Sequence, residues 1–320
     1  MARHSQRVVY AALIGNVAVA VSKFIVATIS GSSAMMAEAI HSTVDTGNEL
    51  LLLVGMRRSE KPATPEHPFG HGREVYFWSF LVAVVLFAFG GGLSMLDGIK
   101  TIAHPQALEP AKWSYVVLGL SALFEGGSWI IGMRELLARR RPGRTIWQTL
   151  QFSKDPSVMS VVFEDSAALI GILIAAVGVW SSHHFQRPQL DGAASVVIGG
   201  LLAIVAVLFG REVKGLLVGE AADPEVVKAI RLVTEQDPDI EFAGEPITMQ
   251  LAPSQVLLNI ELRFRQGLDR DGIELAIDRI EAEIRKHAPE VTRIYIEAES
   301  LKAGSAAAPT ERTPNDERAA

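Results

Sequence analysis

Apolar positions crowd the first two thirds of this 320-residue chain into six long runs, at about 8–30, 33–56, 75–96, 113–133, 158–180 and 193–209. A helix rises about 1.5 Å per residue, so runs of roughly twenty residues match the hydrocarbon thickness of a bilayer. After Arg211 the pattern changes, and short periodic segments alternate with turns at ordinary globular charge density. Asp223 and Pro224 read as the N-cap and first turn of a helix with Val226, Val227, Ile230 and Val233 on its apolar face. Val256, Leu258, Ile260, Leu262 and Phe264 alternate with mostly polar residues, the period of a half-buried strand. Ile273, Ala276, Ile277, Ile280 and Ile284 return to helical spacing, and Ile294 and Ile296 alternate again. The pattern predicts an α-helical membrane protein: six transmembrane helices over 1–212, then a small α-β-β-α-β domain over 213–301. The remainder, 302–320, is Ala, Ser, Pro, Thr and charge, too poor in large apolar groups to pack, and is expected to be disordered.

Composition agrees with this mixture, since 49% hydrophobic and 21% charged residues lie between soluble and fully membranous values. With no cysteine there is neither a disulfide framework nor a thiolate metal site. The net charge of −6, with no basic face apart from the loops beside the spans, argues against a nucleic-acid partner. The basic start, 1–7, precedes a run too long for a signal-peptide core, so it is expected to stay as the first span. Arg57, Arg58, Lys61 and Arg73 fall between spans two and three; Arg134, Arg139, Arg140, Arg141, Arg144 and Lys154 fall between four and five. That bias is expected to put these loops and both termini in the cytoplasm, as for a multi-pass protein of the cell inner (plasma) membrane.

Against this apolar background His41, Asp45 and Asp165 stand out. An ionisable side chain in hydrocarbon costs at least about 2.5–3.5 kcal/mol, so it persists where it lines a path or binds something. His41 and Asp45, four apart, project from one helix face and make half a metal site. Imidazole with carboxylate suits zinc and other first-row divalent ions, and Asp165 can supply a third ligand. The plainer alternative is that His41 hydrogen-bonds a neighbouring helix while Asp45 pairs with Lys23. Gly90, Gly91 and Gly92, like Gly126 and Gly127, read as packing positions. Glu125 either lines the path or pairs with a basic residue.

Taken together, the six spans, the α/β domain and the His41–Asp45 pair resemble the cation diffusion facilitator family over residues 10 to about 301. Other marks are Asn16 and Lys23 in span one, the run His67-Pro68-Phe69-Gly70-His71-Gly72, Asp165 in span five and Asp191 opening span six. The stretch Phe163-Glu164-Asp165-Ser166-Ala167-Ala168 is similar to the branch that includes the mitochondrial zinc transporter of animals. The resemblance implies a homodimeric carrier, not an enzyme and without a cofactor. It would move divalent cations out of the cytoplasm in exchange for protons by alternating access, with a metallochaperone-like cytoplasmic α/β domain for dimerisation. Zinc is the first expectation for the cation; manganese, iron or cobalt is the alternative.

The family's central site takes two residues from span two and two from span five, four apart in each. His41, Asp45 and Asp165 match, but Val161 stands at the fourth place and has no lone pair. Glu164 points about 100° away from Asp165 on a regular helix and would join only through a distortion or a displaced site. Otherwise it partners a basic side chain such as Lys23, and a water or Asn16 completes the shell. An oxygen-richer site loosens the preference for zinc. At the family's second site His67 and His71 match, with Thr64 where zinc-binding relatives often carry an acid and Glu66 as a substitute; equally, the two histidines simply cap a tight turn. Glu261, Glu297 and Glu299 fall at the family's cytoplasmic two-metal cluster, and without imidazole a permanent zinc cluster is not expected; His287 is expected to be solvated.

Exchange needs a site that holds either metal or protons, and an unperturbed imidazole titrates near pH 6.5. Two rivals are a membrane metalloenzyme with Glu164 as base and a non-transporting, metal-responsive scaffold. Metal-dependent proton flux in vesicles separates both from a carrier.

Overall fold

The computed structural model describes residues 2–105, 111–138 and 140–298, with residues 2–15 as helical backbone alone. The expected tail, with Glu299 and Arg139, lies outside the described residues. Every apolar run folds as helix: α1 (Ala2–Ser30), α2 (Ser33–Ser59), α5 (Lys112–Ala138), α7 (Pro156–His184) and α8 (Gln189–Val218). The third run is one continuous rod in three pieces, α3 (Glu74–Val85), a π-helical segment Leu86–Leu93 and α4 (Ser94–Ala103). A short α6 (Ile146–Gln151) precedes α7 and is fixed by a reciprocal cap between Thr145 and Gln148. Among the described residues four helices, Glu74–Ala103, Lys112–Ala138, Pro156–His184 and Gln189–Val218, are long and apolar enough to cross a membrane. α2 is equally long but carries Glu38, Asp45 and Glu49, and the apolar part of α1 with described side chains, Asn16–Ser30, is shorter.

Outward faces are apolar as well as inward ones. On α1, Val17, Val21, Ile25 and Ile29 form an exposed stripe one turn apart, a pattern that suits hydrocarbon outside as well as a packed interior. Inside the bundle Met35, Tyr76, Leu86, Met159, Ile198, Leu202 and Phe209 are buried in one continuous core. Span three lies backbone to backbone on α8. A Cβ added at Gly98 would sit 2.6 Å from Gly192 O, and one added at Gly199 would sit 2.7 Å from Gly91 O. The two pairs, seven residues apart on each helix, leave room for nothing larger than hydrogen.

The first turn of α2 is tied down from three directions. Ser32 caps it by accepting from Met35 N, while buried Asp191 of α8 accepts from Ser32 Oγ at 2.7 Å and from the backbone N–H groups of Ser33 and Ala34. Asp97 of α4 accepts from Ser33 Oγ at 2.8 Å. A carboxylate is favoured there because the first backbone N–H groups of a helix are unsatisfied and the dipole is positive.

Packing divides the chain into two compact units, Met1–Asp223 with Thr248–Leu257, and Pro224–Ile247 with Leu258–Ala320. α8 runs through the expected boundary at 212 and ends at Val218, where Gly219 takes a φ of +126°. The later elements are α9 (Pro224–Gln236), β1 (Ile240–Ala243), β2 (Ile247–Ala252), β3 (Gln255–Phe264), α10 (Arg270–His287) and β4 (Val291–Ala298). The sheet order is β1-β3-β2, with β4 also on β3. The predicted strands are present, together with one more: β1, four residues long, is too short for alternation to show, and gains its identity by antiparallel pairing with the end of β3, Ile240 opposite Phe264 and Ala243 opposite Leu262.

Candidate metal centre

α2 presents a ladder of polar groups on one face: Glu38, His41 with Ser42, Asp45 and Glu49, at helical spacings of three or four. α7 begins at Asp155, which caps the helix by accepting from Ser157 N, and Pro156 starts the first turn. Its first turns then carry Ser160, Val161, Glu164 and Asp165. Between α1, α2, α5 and α7 lies a cavity of about 770 Å³, lined among others by Asn16, Ser42, Asp45, Glu49, Glu125, Glu135, Asp155, Glu164 and Asp165. Met56, Glu135, Asp155 and Ser157 line it near the ends of α2 and α5 and the start of α7; Ser42 and Asp45 lie deeper. From Met56 to Ser42 the axial span is about 20 Å.

His41 Nδ1 lies 3.2 Å from Asp45 Oδ1, at ion-pair distance. The angle is wrong for a hydrogen bond. Both ring nitrogens of buried His41, Asp45 Oδ1 and Asp165 Oδ2 are without hydrogen-bond partners among the described residues. A buried polar atom left unpaired costs about 1–3 kcal/mol, so four in one region need a reason. One imidazole nitrogen carries a proton, and its other lone pair and the two carboxylate oxygens are left as acceptors for a cation. His41 itself is not among the residues lining the cavity, and among the described residues no three His, Asp or Glu side chains gather closely enough to hold an ion.

Lys23 does not pair with Asp45 or Glu164; its ammonium goes to Glu38 at 3.2 Å and Ser42 at 2.6 Å, with Glu125 at 3.9 Å. Glu125 thus both lines the cavity and pairs with a base. Asn16 donates to Glu49 Oε1 at 2.6 Å, which commits its amide to a neighbour of the site. Glu164 is buried with Oε1 accepting from Asn48 Nδ2 at 3.2 Å and Ser160 Oγ at 2.8 Å. α7 is an unbroken α-helix there and Glu164 lines the cavity, so of the two routes by which it could join the site, a helix distortion or a displaced site, the first is absent. Val161 lines the same wall, crowded against Gly132, where a Cβ would meet Val161 Cγ1 at 2.7 Å.

The loop histidines are exposed or half-buried. His67 and His71 lie with ring centroids 4.5 Å apart and ring planes tilted by 32°, and His71 Nδ1 lies 3.2 Å from Pro62 O. The turn closes by paired backbone bonds between Thr64 and His67, and Gly70 takes a φ of +85°, the left-handed region that favours glycine. Glu261 and Glu297 are exposed, and His287 caps its own helix through Nδ1 at 2.9 Å from Glu283 O. Sequence reasoning passed over Glu38, Glu49, Asn48 and Ser160. The first two extend the His41–Asp45 stripe at helical period and were legible in principle; the last two acquire meaning only through their bonds to Glu164.

Comparison with known proteins bears on the family. A family model described as the cation efflux transmembrane domain matches residues 9–218. The proton-coupled zinc antiporter SLC30A9, mitochondrial, of Homo sapiens is 28% identical over 313 residues, covering 86% of this chain and 55% of that protein. Metal tolerance protein C4 of Arabidopsis thaliana is 29% identical, covering 82% and 58%. Manganese efflux system protein MneP of Bacillus subtilis is 25% identical, covering 83% and 88%. The chain thus spans little more than half the length of the first two.

Proposed function

Because this chain belongs to the cation efflux family, whose members are transporters and not enzymes, we propose that it carries divalent cations, zinc foremost, out of the cytoplasm in exchange for protons. The observation that carries this reading is the set of buried, unpartnered lone pairs of His41, Asp45 and Asp165 beside a carboxylate-lined cavity at mid-span depth. Asp155 and Glu135 near the mouth attract the cation, Glu49 draws it inward, and Asp45 with Asp165 receives it, joined by His41. Glu164 replaces the ligand missing at Val161.

The site alternates between two loads. Ionised carboxylates and neutral imidazole hold the metal; protons remove both the charge and the lone pair, so loading one expels the other. Rocking of α7 against α2 would draw Asp165 towards Asp45 and then open the pair to the opposite side, as in other carriers with a midplane site. Six spans with basic loops inside suit a cell inner membrane with cytoplasmic termini, and the α/β unit would join two copies as a homodimer. His67 and His71 would at most hold a cation in passing.

Flux assays in proteoliposomes test this. His41→Ala, Asp45→Ala and Asp165→Ala are each expected to abolish metal-driven proton flux while the protein elutes as the unsubstituted one does; undiminished flux in Asp45→Ala would refute the site. Manganese is a second reading, favoured by the oxygen-rich ligand set. Competition among zinc, manganese, iron and cobalt decides between them.

A further inference from the structure

Beyond the deep end of the cavity lies a buried charge cluster that the transport site does not use. Lys23 on α1 is fully buried, with its ammonium 3.2 Å from Glu38 Oε2 and 2.6 Å from Ser42 Oγ on α2, and 3.9 Å from Glu125 Oε1 on α5. An ammonium enclosed by oxygens from two helices is coordinated much as a bound cation would be. Glu38 is also fully buried, and its Oε1 has no hydrogen-bond partner among the described residues. That oxygen sits where a side chain at Gly171 would be, 2.5 Å from an added Cβ, so α7 leaves the room it needs. The carboxylate therefore has acceptor capacity that Lys23 leaves unused. The cluster is continuous with the cavity, because Ser42 and Glu125 line both. Glu38 precedes Asp45 by seven residues, about 10 Å along α2 towards the α1–α2 turn.

We propose that Glu38, Ser42 and Glu125 form a second cation position beyond Asp45, and that Lys23 fills it as a tethered cation, so that a travelling divalent ion stops at Asp45. The ion's path rests on the carrier reading; the occupancy of the second position does not. Two carboxylates face one ammonium, and with Lys23 neutralised a single divalent ion of the kind that accepts carboxylate and hydroxyl oxygen would balance their charge.

Counting bound ions tests the assignment. The full chain in detergent is dialysed to equilibrium against Zn²⁺ and, separately, Mn²⁺. Lys23→Gln keeps length and polarity while removing the charge, and is expected to bind one more ion per chain than the unsubstituted protein. Adding Glu38→Gln to it should remove the gain. Equal counts for Lys23→Gln and the unsubstituted chain overturn the proposal. If Lys23→Gln fails to fold, Glu38→Gln alone still decides: an unchanged count is expected, since Glu38 is taken up by Lys23, and loss of an ion would make Glu38 a ligand of the first site. An unsubstituted chain that binds nothing sinks the carrier reading, while a gain in Lys23→Gln still supports the second position.

Discussion

Val161 offers the cavity two methyl groups where a fourth ligand is wanted, and Glu164, one turn's breadth away, offers a carboxylate braced by Asn48 and Ser160. If Glu164 is the substitute ligand, restoring imidazole should shift the ion preference. Val161→His is expected to raise zinc affinity over manganese by about ten-fold, worth about 1.4 kcal/mol, measured by competition dialysis; an unaltered ratio means that position 161 does not face the ion. Glu164→Gln is expected to weaken metal affinity or proton coupling, and retention of both would make Glu164 a structural group. His41, Asp45 and Asp165 stand out in the sequence because charge and imidazole are conspicuous in an apolar run. Lys23 was legible too, but its partner was not: Asp45, Glu164 and Glu38 are all acids of neighbouring spans, and only the fold selects Glu38. Asn48 and Glu164, 116 residues apart in sequence, meet by packing that no local pattern encodes.

Helices announce themselves by the length of their apolar runs, so every run appeared as helix with ends extended by a few residues, whereas β1 did not, being held by its partner strand. The π-helical segment Leu86–Leu93 was equally hidden, though the glycines inside it were visible. The close packing of span three on α8 has a sharp test at Gly98, in α4. Gly98→Ala would set a methyl 2.6 Å from Gly192 O, and backbone cannot yield as a side-chain tip can; the expected loss is about 1–3 kcal/mol, read as a lowered unfolding midpoint in detergent. In the α/β unit Arg279 of α10 clasps Asp237 and Asp239, at 2.8 and 2.7 Å. Burial pushes the Asp237 carboxyl up, but the Arg279 hydrogen bond and the Asp239 N–H outweigh it and hold the group below its usual range. The folded state therefore prefers the ionised form. The stability this adds is complete above the unfolded value, about 3.9, and is lost as pH falls through the lower folded value. Arg279→Met should accelerate amide exchange at Ile240 near pH 7, and the difference from the unsubstituted chain should shrink towards pH 3.

For the whole molecule, the cavity's mouth residues and the basic loops occupy the same ends of α2, α5 and α7, so sidedness can be tested directly. The chain has no cysteine, and a single Ser157→Cys therefore reports without background. A membrane-impermeant maleimide is expected to label it from the cytoplasmic face and not from outside; the reverse pattern would invert the direction of transport proposed. The order of the long helices was readable because a bilayer demands long apolar runs, while the cavity depends on which helices neighbour one another. The binding of α2's first turn by Asp191 and Asp97 has a mechanical result. A rod of 27 residues is about 40 Å long, and pinned at that end it would swing as a lever arm. A tilt of about 10° would carry Ser59 through about 7 Å while Ser33 stays put. Any swing of this helix is thus smallest at its pivot and greatest where Arg57 and Arg58 meet the water.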